Sequence, residues 1–110
     1  MLNQFVCVGR LTRDPEIKEL ENGKKISNIT LAVPRSYKNA DGEYDTDFIN
    51  VNLWGSIAEN AVDYCHKGDL LGVKGTLGSR NIEEDGKIRN VLEVRAEKVT
   101  YLSSIRPDRD

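Results

Sequence analysis

Long apolar runs, cysteine, aromatics and surplus positive charge are all scarce in this sequence. The N-terminal apolar stretch is broken by Gly9 and Arg10 and follows no basic segment, so it fits neither a signal peptide nor a membrane span. A soluble, cytoplasmic protein with no membrane partner is expected. Cysteine is limited to Cys7 and Cys65, both inside apolar runs and without CxxC or Cys/His ligand spacing. That argues against a zinc site or a disulfide framework, and for two small core residues in a reducing compartment. No metal and no cofactor is expected. The formal net charge is −2, which removes any global attraction for a polyanion. Such a site would need a local concentration of Lys and Arg, with the acidic residues segregated elsewhere. Apolar residues make up 38 % of the 110, enough for one small domain with a core. The low figure also hints that oligomerisation supplies part of the burial.

With aromatics at 6 %, two large ones in the single stretch Asp47 to Gly55 (DFINVNLWG) organise the reading. As a strand of period 2, Ile49, Val51 and Leu53 form an apolar stripe for the core. Phe48, Asn50, Asn52 and Trp54 fall on the opposite face, aromatic at both ends and polar between. Aromatics in strands commonly pack under a loop, a helix or a second subunit. This pattern also suits the stacking of flat ligands with hydrogen bonds between them.

The remaining segments suggest a barrel around that strand. Asn3 to Leu11 is β-rich with apolar residues in both phases, Phe5, Cys7 and Leu11 against Val6 and Val8, as in a central or interface strand. A short strand within Glu16 to Leu20 leads to an Asn22-Gly23 hairpin turn. Ile26 to Val33 alternates, with Ile29, Leu31 and Val33 inward, and Pro34 is expected to end it. A loop follows, basic and aromatic at Arg35, Tyr37 and Lys38, then acidic from Asp41 to Asp47. Ser56 and Glu59 have capping-box spacing before a helical face of Ile57, Ala58, Ala61, Val62 and Cys65, with Lys67 and Gly68 as stop signals. Asp69 to Arg80 is a strand with Leu71, Val73 and Leu77 inward. Glu83 to Gly86 is a turn. Lys87 to Leu102 returns with Ile88, Leu92, Val94 and Ala96 in one phase and a β-bulge near Lys98. Residues 103–110 are expected to be a disordered tail beyond a single domain over residues 1–102.

This order predicts a mainly β fold: a five-stranded oligonucleotide/oligosaccharide-binding (OB) barrel with one short helix between strands 3 and 4. The binding face of such barrels centres on the strands that here carry Phe48 and Trp54. Five motifs then share one register: VGRLTRDPE, ITLAVPRSY, FINVNLWG, AENAVDYCHKGDLLGVKGTL and EVRAEKVTYL. Together they resemble the bacterial single-stranded DNA-binding protein family, colinearly from Asn3 to Leu102.

The resemblance implies a homotetramer, a dimer of dimers, that wraps single-stranded DNA and serves replication, recombination and repair. It implies base stacking at Tyr37, Phe48 and Trp54, and phosphate contacts at Lys38, Lys67 and Arg80. Strand phase and clustering add Arg10, Arg35 and Lys74. Ile82 stands where family members often carry another aromatic, which weakens one platform. The end Arg106-Pro107-Asp108-Arg109-Asp110 is not the acidic-hydrophobic tip that recruits repair and replication enzymes in full-length relatives. Such partners are therefore not expected for a complete chain, which would suit a phage, plasmid or paralogous member; a truncated one remains the other explanation.

The acidic clusters Asp41 to Asp47 and Glu83 to Asp85 are expected at loop tips, leaving a positive groove. An enzyme built on Cys65, His66, Asp63 and Asp69 is disfavoured, because adjacent helical residues point about 100° apart. The alternative is an OB-fold replication accessory protein working mainly through protein contacts.

Overall fold

The structure, a computed structural model, describes residues 1–103. Its strands are β1 (Phe5–Leu11), β2 (Lys18–Glu19), β3 (Lys25–Lys38), β4 (Tyr44–Trp54), β5 (Leu70–Glu84) and β6 (Lys87–Ser103), with helix α1 (Gly55–Tyr64) between β4 and β5. The sheet runs β1-β5-β6-β4-β3-β2, and β1 also pairs with β3. That second pairing closes five strands into a barrel, the OB arrangement, with β2 as a short flap on β3.

Alternation decides what fills the barrel. Ile29 and Leu31 of β3, Val51 and Leu53 of β4, Leu71 and Val73 of β5, and Val94 and Ala96 of β6 are buried, as their phase requires. Ala58, Ala61 and Cys65 cover one end of this core from α1 and its C-terminus. Their small side chains allow the helix to lie close over β3 and β4.

Several expectations need correction. Pro34 does not end β3, which continues to Lys38 through an irregularity between Pro34 and Lys38. β1 pairs with β3 only at Leu31 and Ala32, so β4 is the paired neighbour recorded at Pro34 and the missing N–H interrupts no second ladder. The capping box does not form. Gly55, at φ 58°, turns the chain from strand straight into helix, making Trp54 the N-cap and placing Ser56 inside the helix. Glu59 instead accepts a hydrogen bond from Lys25 Nζ at 2.8 Å. The helix stops at Tyr64 with Cys65 extended, so Lys67 lies beyond its last turn. Leu77, Leu92 and Ile88 keep the inward phase but are exposed. Past Leu77 and Val94, β5 and β6 pair only with each other and project from the barrel as a two-stranded arm. Ser103 belongs to β6, and the rest of the expected tail, residues 104–110, lies outside the described residues.

The bulge sits beside Lys98 as the phase change indicated. Lys74 pairs with Lys98 and Gly75 with Ala96, leaving Glu97 unmatched. Gly75 is buried there, and a Cβ on it would overlap the Arg95 carbonyl oxygen. Backbone cannot yield as a flexible side chain can. Gly75→Ala should therefore cost about 1–3 kcal/mol of stability, the range for overpacking a tight site, read as a lower urea midpoint at unchanged m-value.

Candidate nucleic-acid interface

The outer face of β4 is built in rungs with β3. Trp54 lies opposite Ile26, Asn52 opposite Asn28, Asn50 opposite Thr30 and Phe48 opposite Ala32. Cross-strand partners share a face, so aromatic groups bracket a central patch of amides and one hydroxyl. Thr30 Oγ1 donates to Asn50 Oδ1 at 3.2 Å, which orients that amide. Phe48 is 65 % exposed, while Trp54 is half-buried. Arg10 pairs with Ala32 and extends the Phe48 rung onto β1, although its Nη1 donates to the Gly68 carbonyl at 3.0 Å.

The other end of the face holds a residue that the sequence reading missed. Arg95 of β6 is in register with Asn52 through the parallel β4–β6 pairing, and its guanidinium lies over the Trp54 ring, 5.1 Å from the centroid. Burial of Val94 and Ala96 forces Arg95 outward, so its phase was readable. Its neighbour was not, because a parallel pairing across 43 residues leaves no local trace.

The β3–β4 hairpin forms a second arm bearing Arg35, Tyr37, Lys38 and Tyr44. Tyr37 is 64 % exposed. Lys38 stands 5.8 Å from the centroid of the Tyr44 ring, an aromatic the sequence reading did not single out. At the hairpin tip the Asn39 side-chain oxygen accepts from the backbone N–H groups of Asp41 and Glu43. Arg80 lies on the β5–β6 arm, with Ile82 partly buried opposite Arg89. Lys67 is in the turn after the helix, where its backbone N–H donates to Asp14 Oδ1 at 2.7 Å. Lys74 is set apart, sharing a face with Val6 of β1 and Lys98 of β6.

Acidic residues do not all withdraw to loop tips. Asp41 and Glu43 flank one tip and Glu83 to Asp85 occupy the other, as expected. Asp47 and Glu93, however, sit on the strands. Asp47 accepts from Arg35 Nη2 at 3.0 Å and Nε at 3.2 Å. Glu93 accepts from Arg80 Nε at 3.0 Å and stands two residues from Arg95, so one carboxylate interrupts the basic track between Trp54 and Arg80. Each is tolerated on the face because a guanidinium compensates it. Cys65 is buried in the core while His66 Nδ1 faces Asp14 Oδ1 at 4.0 Å, so the two residues point to different surroundings. Among the described residues, no cluster of three or more His, Cys, Asp or Glu could hold a metal ion, and no helix is long and apolar enough to cross a membrane.

A closed five-stranded barrel that turns an aromatic and amide face outward defines an oligonucleotide/oligosaccharide-binding-fold protein. The model of the Single-strand binding protein family matches residues 2–102, and the chain belongs to that family. It is 45 % identical over 103 residues to Single-stranded DNA-binding protein B of Bacillus subtilis strain 168, covering 93 % of this chain and 91 % of the relative. Identity is 48 % to Single-stranded DNA-binding protein 2 of Staphylococcus aureus Mu50, over 93 % and 73 % of the two chains. It is 47 % to the Single-stranded DNA-binding protein of Bacillus cereus ATCC 14579, over 93 % of this chain but only 61 % of that longer relative.

The Arg35 pair gives the face a pH signature. The hydrogen bond from Arg35, aided by its charge, holds the Asp47 carboxyl below its ordinary range against the opposing effect of desolvation. A depressed folded value means that the stabilisation is complete above the unfolded carboxyl value, about 3.9, and fades as pH falls through the lower folded one. Carbon-detected NMR should show Asp47 titrating below an ordinary aspartate, and Arg35→Ala should return it to the usual range.

Proposed function

We propose that this chain binds single-stranded DNA without strong sequence preference and protects it during replication, recombination and repair. The observation that carries the reading is the open row Phe48, Asn50, Asn52, Trp54 in a chain of this family. From Phe48 to Trp54 the row spans about 20 Å by the strand rise, room for several unstacked nucleotides. Phe48, Trp54 and Tyr37 offer flat faces to bases, and every base has such a face, so sequence matters little. Asn28, Asn50 and Asn52 can donate to or accept from base and sugar edges between them. Duplex DNA is a poor ligand here, since its bases are already stacked on each other.

Phosphates fall to Arg10, Arg35, Lys38, Lys67 and Arg80. Arg35 and Arg80 exchange a carboxylate for a phosphate, one anion for another on the same guanidinium, and ion pairs reached by water are weak enough to be exchanged. Lys74 lines the depression assigned below to contact between copies, so it stands off this path. Residues 1–102 form the DNA-binding domain on this reading, supported by the extent of the family match.

Assembly as a homotetramer, a dimer of dimers, is part of the proposal. Val6 is 68 % exposed and lines a shallow apolar depression with Val8, Gly72 and Thr100. A second copy would cover this second face of β1. Light scattering should then give the mass of four 12.4 kDa chains. The compartment proposed is the reducing cytoplasm, and no cofactor is invoked.

Titration with oligo(dT) while following Trp54 fluorescence tests the binding reading. Quenching by oligo(dT), absent with duplex and weakened by salt at a log–log slope of about −0.7 per phosphate neutralised, is expected. Phe48→Ala should cost about 1–3 kcal/mol of binding free energy, the worth of one stacked base. No binding at low salt would overturn the proposal and favour the protein-contact alternative.

A further inference from the structure

Resting on that reading, one residue at the Trp54 end calls for a role of its own. Trp54 borders an open groove of about 780 Å³ lined also by Gly23, Lys24, Lys25, Ser56 and Arg95. That volume lies in the range of small-molecule clefts, about 300–1,000 Å³. The indole Nε1 is buried and has no hydrogen-bond partner among the described residues. Over the ring lies Arg95, itself exposed. Lys25 in the same groove is compensated by Glu59 at 2.8 Å. Arg35 and Arg80 are held by carboxylates; Arg95 is held by the indole.

We propose that Arg95 is a placeholder for a nucleotide: in the free protein its guanidinium covers Trp54, and on binding it yields the ring to a base and takes the adjoining phosphate. Relative strengths favour this exchange. A base stacked on an aromatic is worth ~5–150-fold in affinity, whereas an exposed guanidinium on an indole is worth only ~2–5-fold. The base wins the ring. The released guanidinium remains beside the groove, planar and charged, and matches a phosphate better than a ring face. The same side chain thus shields the platform when empty and anchors the strand when occupied.

The two halves of this role separate with salt. Arg95→Ala should flatten the log–log salt dependence of oligo(dT) binding by about 0.7, one phosphate contact. It should bind more weakly than the parent at low salt. At high salt, where phosphate attraction is screened, it should bind ~2–5-fold more tightly, because no guanidinium must be displaced. Free Arg95→Ala should also show greater acrylamide quenching of Trp54. Arg95→Lys, which keeps the charge, should restore the parent slope. Arg95 is exposed on a strand, so both variants are expected to fold.

Affinity reduced by the same factor at every salt concentration, with the slope unchanged, would mean that Arg95 only steadies the indole, and the placeholder role would be wrong. Parent binding that is normal in such a case leaves the single-strand reading intact. A parent chain that itself ignores oligo(dT) overturns both.

Discussion

Everything in this fold depends on the double pairing of β1. It runs beside β5 from Phe5 to Arg10 and meets β3 at Arg10 and Leu11. Without the second contact the other strands would form an open sheet, and the stripe Ile29, Leu31, Val51, Leu53 would face water. Closure requires sharp curvature, which the bulge at Glu97 and the bare backbone of Gly75 supply. Because β1 has 7 residues while β3, β5 and β6 have 14, 15 and 17, the excess strand length cannot be enclosed. It becomes the two arms. The same length mismatch that closes a small barrel therefore creates the projecting hairpins that carry Tyr37, Lys38 and Arg80 out beyond it.

A second constraint is electrostatic. For a chain of net charge −2 to bind a polyanion as proposed, overall attraction cannot suffice. Here the guanidinium groups are kept on the surface in reversible company: Arg35 with Asp47, Arg80 with Glu93, Arg95 with Trp54. Each partner limits self-repulsion among cations in the free protein. None binds so strongly in water that a phosphate could not replace it. Two of these guanidinium groups are balanced by carboxylates, while Arg95 keeps its full charge against the indole, so the positive charge is local in a chain whose pI is about 5.5.

Legibility followed the range of the interaction. The stripes of β3 and β4, the turn at Asn22-Gly23 and the bulge near Lys98 were readable, because alternation and turn chemistry are set by residues a few positions apart; the turn expected over Glu83 to Gly86 tightened to Asp85 and Gly86, with Glu83 and Glu84 in β5. The capping box at Ser56 misled for the opposite reason. Its spacing is right, but the turn at Gly55 starts the helix two residues earlier, with Trp54 as the N-cap in place of Ser56, and Glu59 is claimed by Lys25 from 34 positions away. Pro34 misled as well: whether proline ends a strand depends on which neighbour needs its N–H, and only the barrel says that β1 stops short of it. Leu77, Ile88 and Leu92 had core phase without core depth, since phase is local and depth is not.

By itself the sequence determined the alternating faces, the order of strands and helix, the aromatic and amide row on β4 and the family likeness, because side-chain direction in a strand repeats every two residues whatever lies beyond it. Tertiary structure alone decided which of those side chains meet. Arg95 came to Trp54, Asp47 to Arg35 and Glu93 to Arg80, and Lys74 was carried away from the aromatic row to the side of Val6. Those partnerships arise where strands distant in the chain are brought into register by barrel closure, and register between distant strands is set by the whole core rather than by any one of its segments.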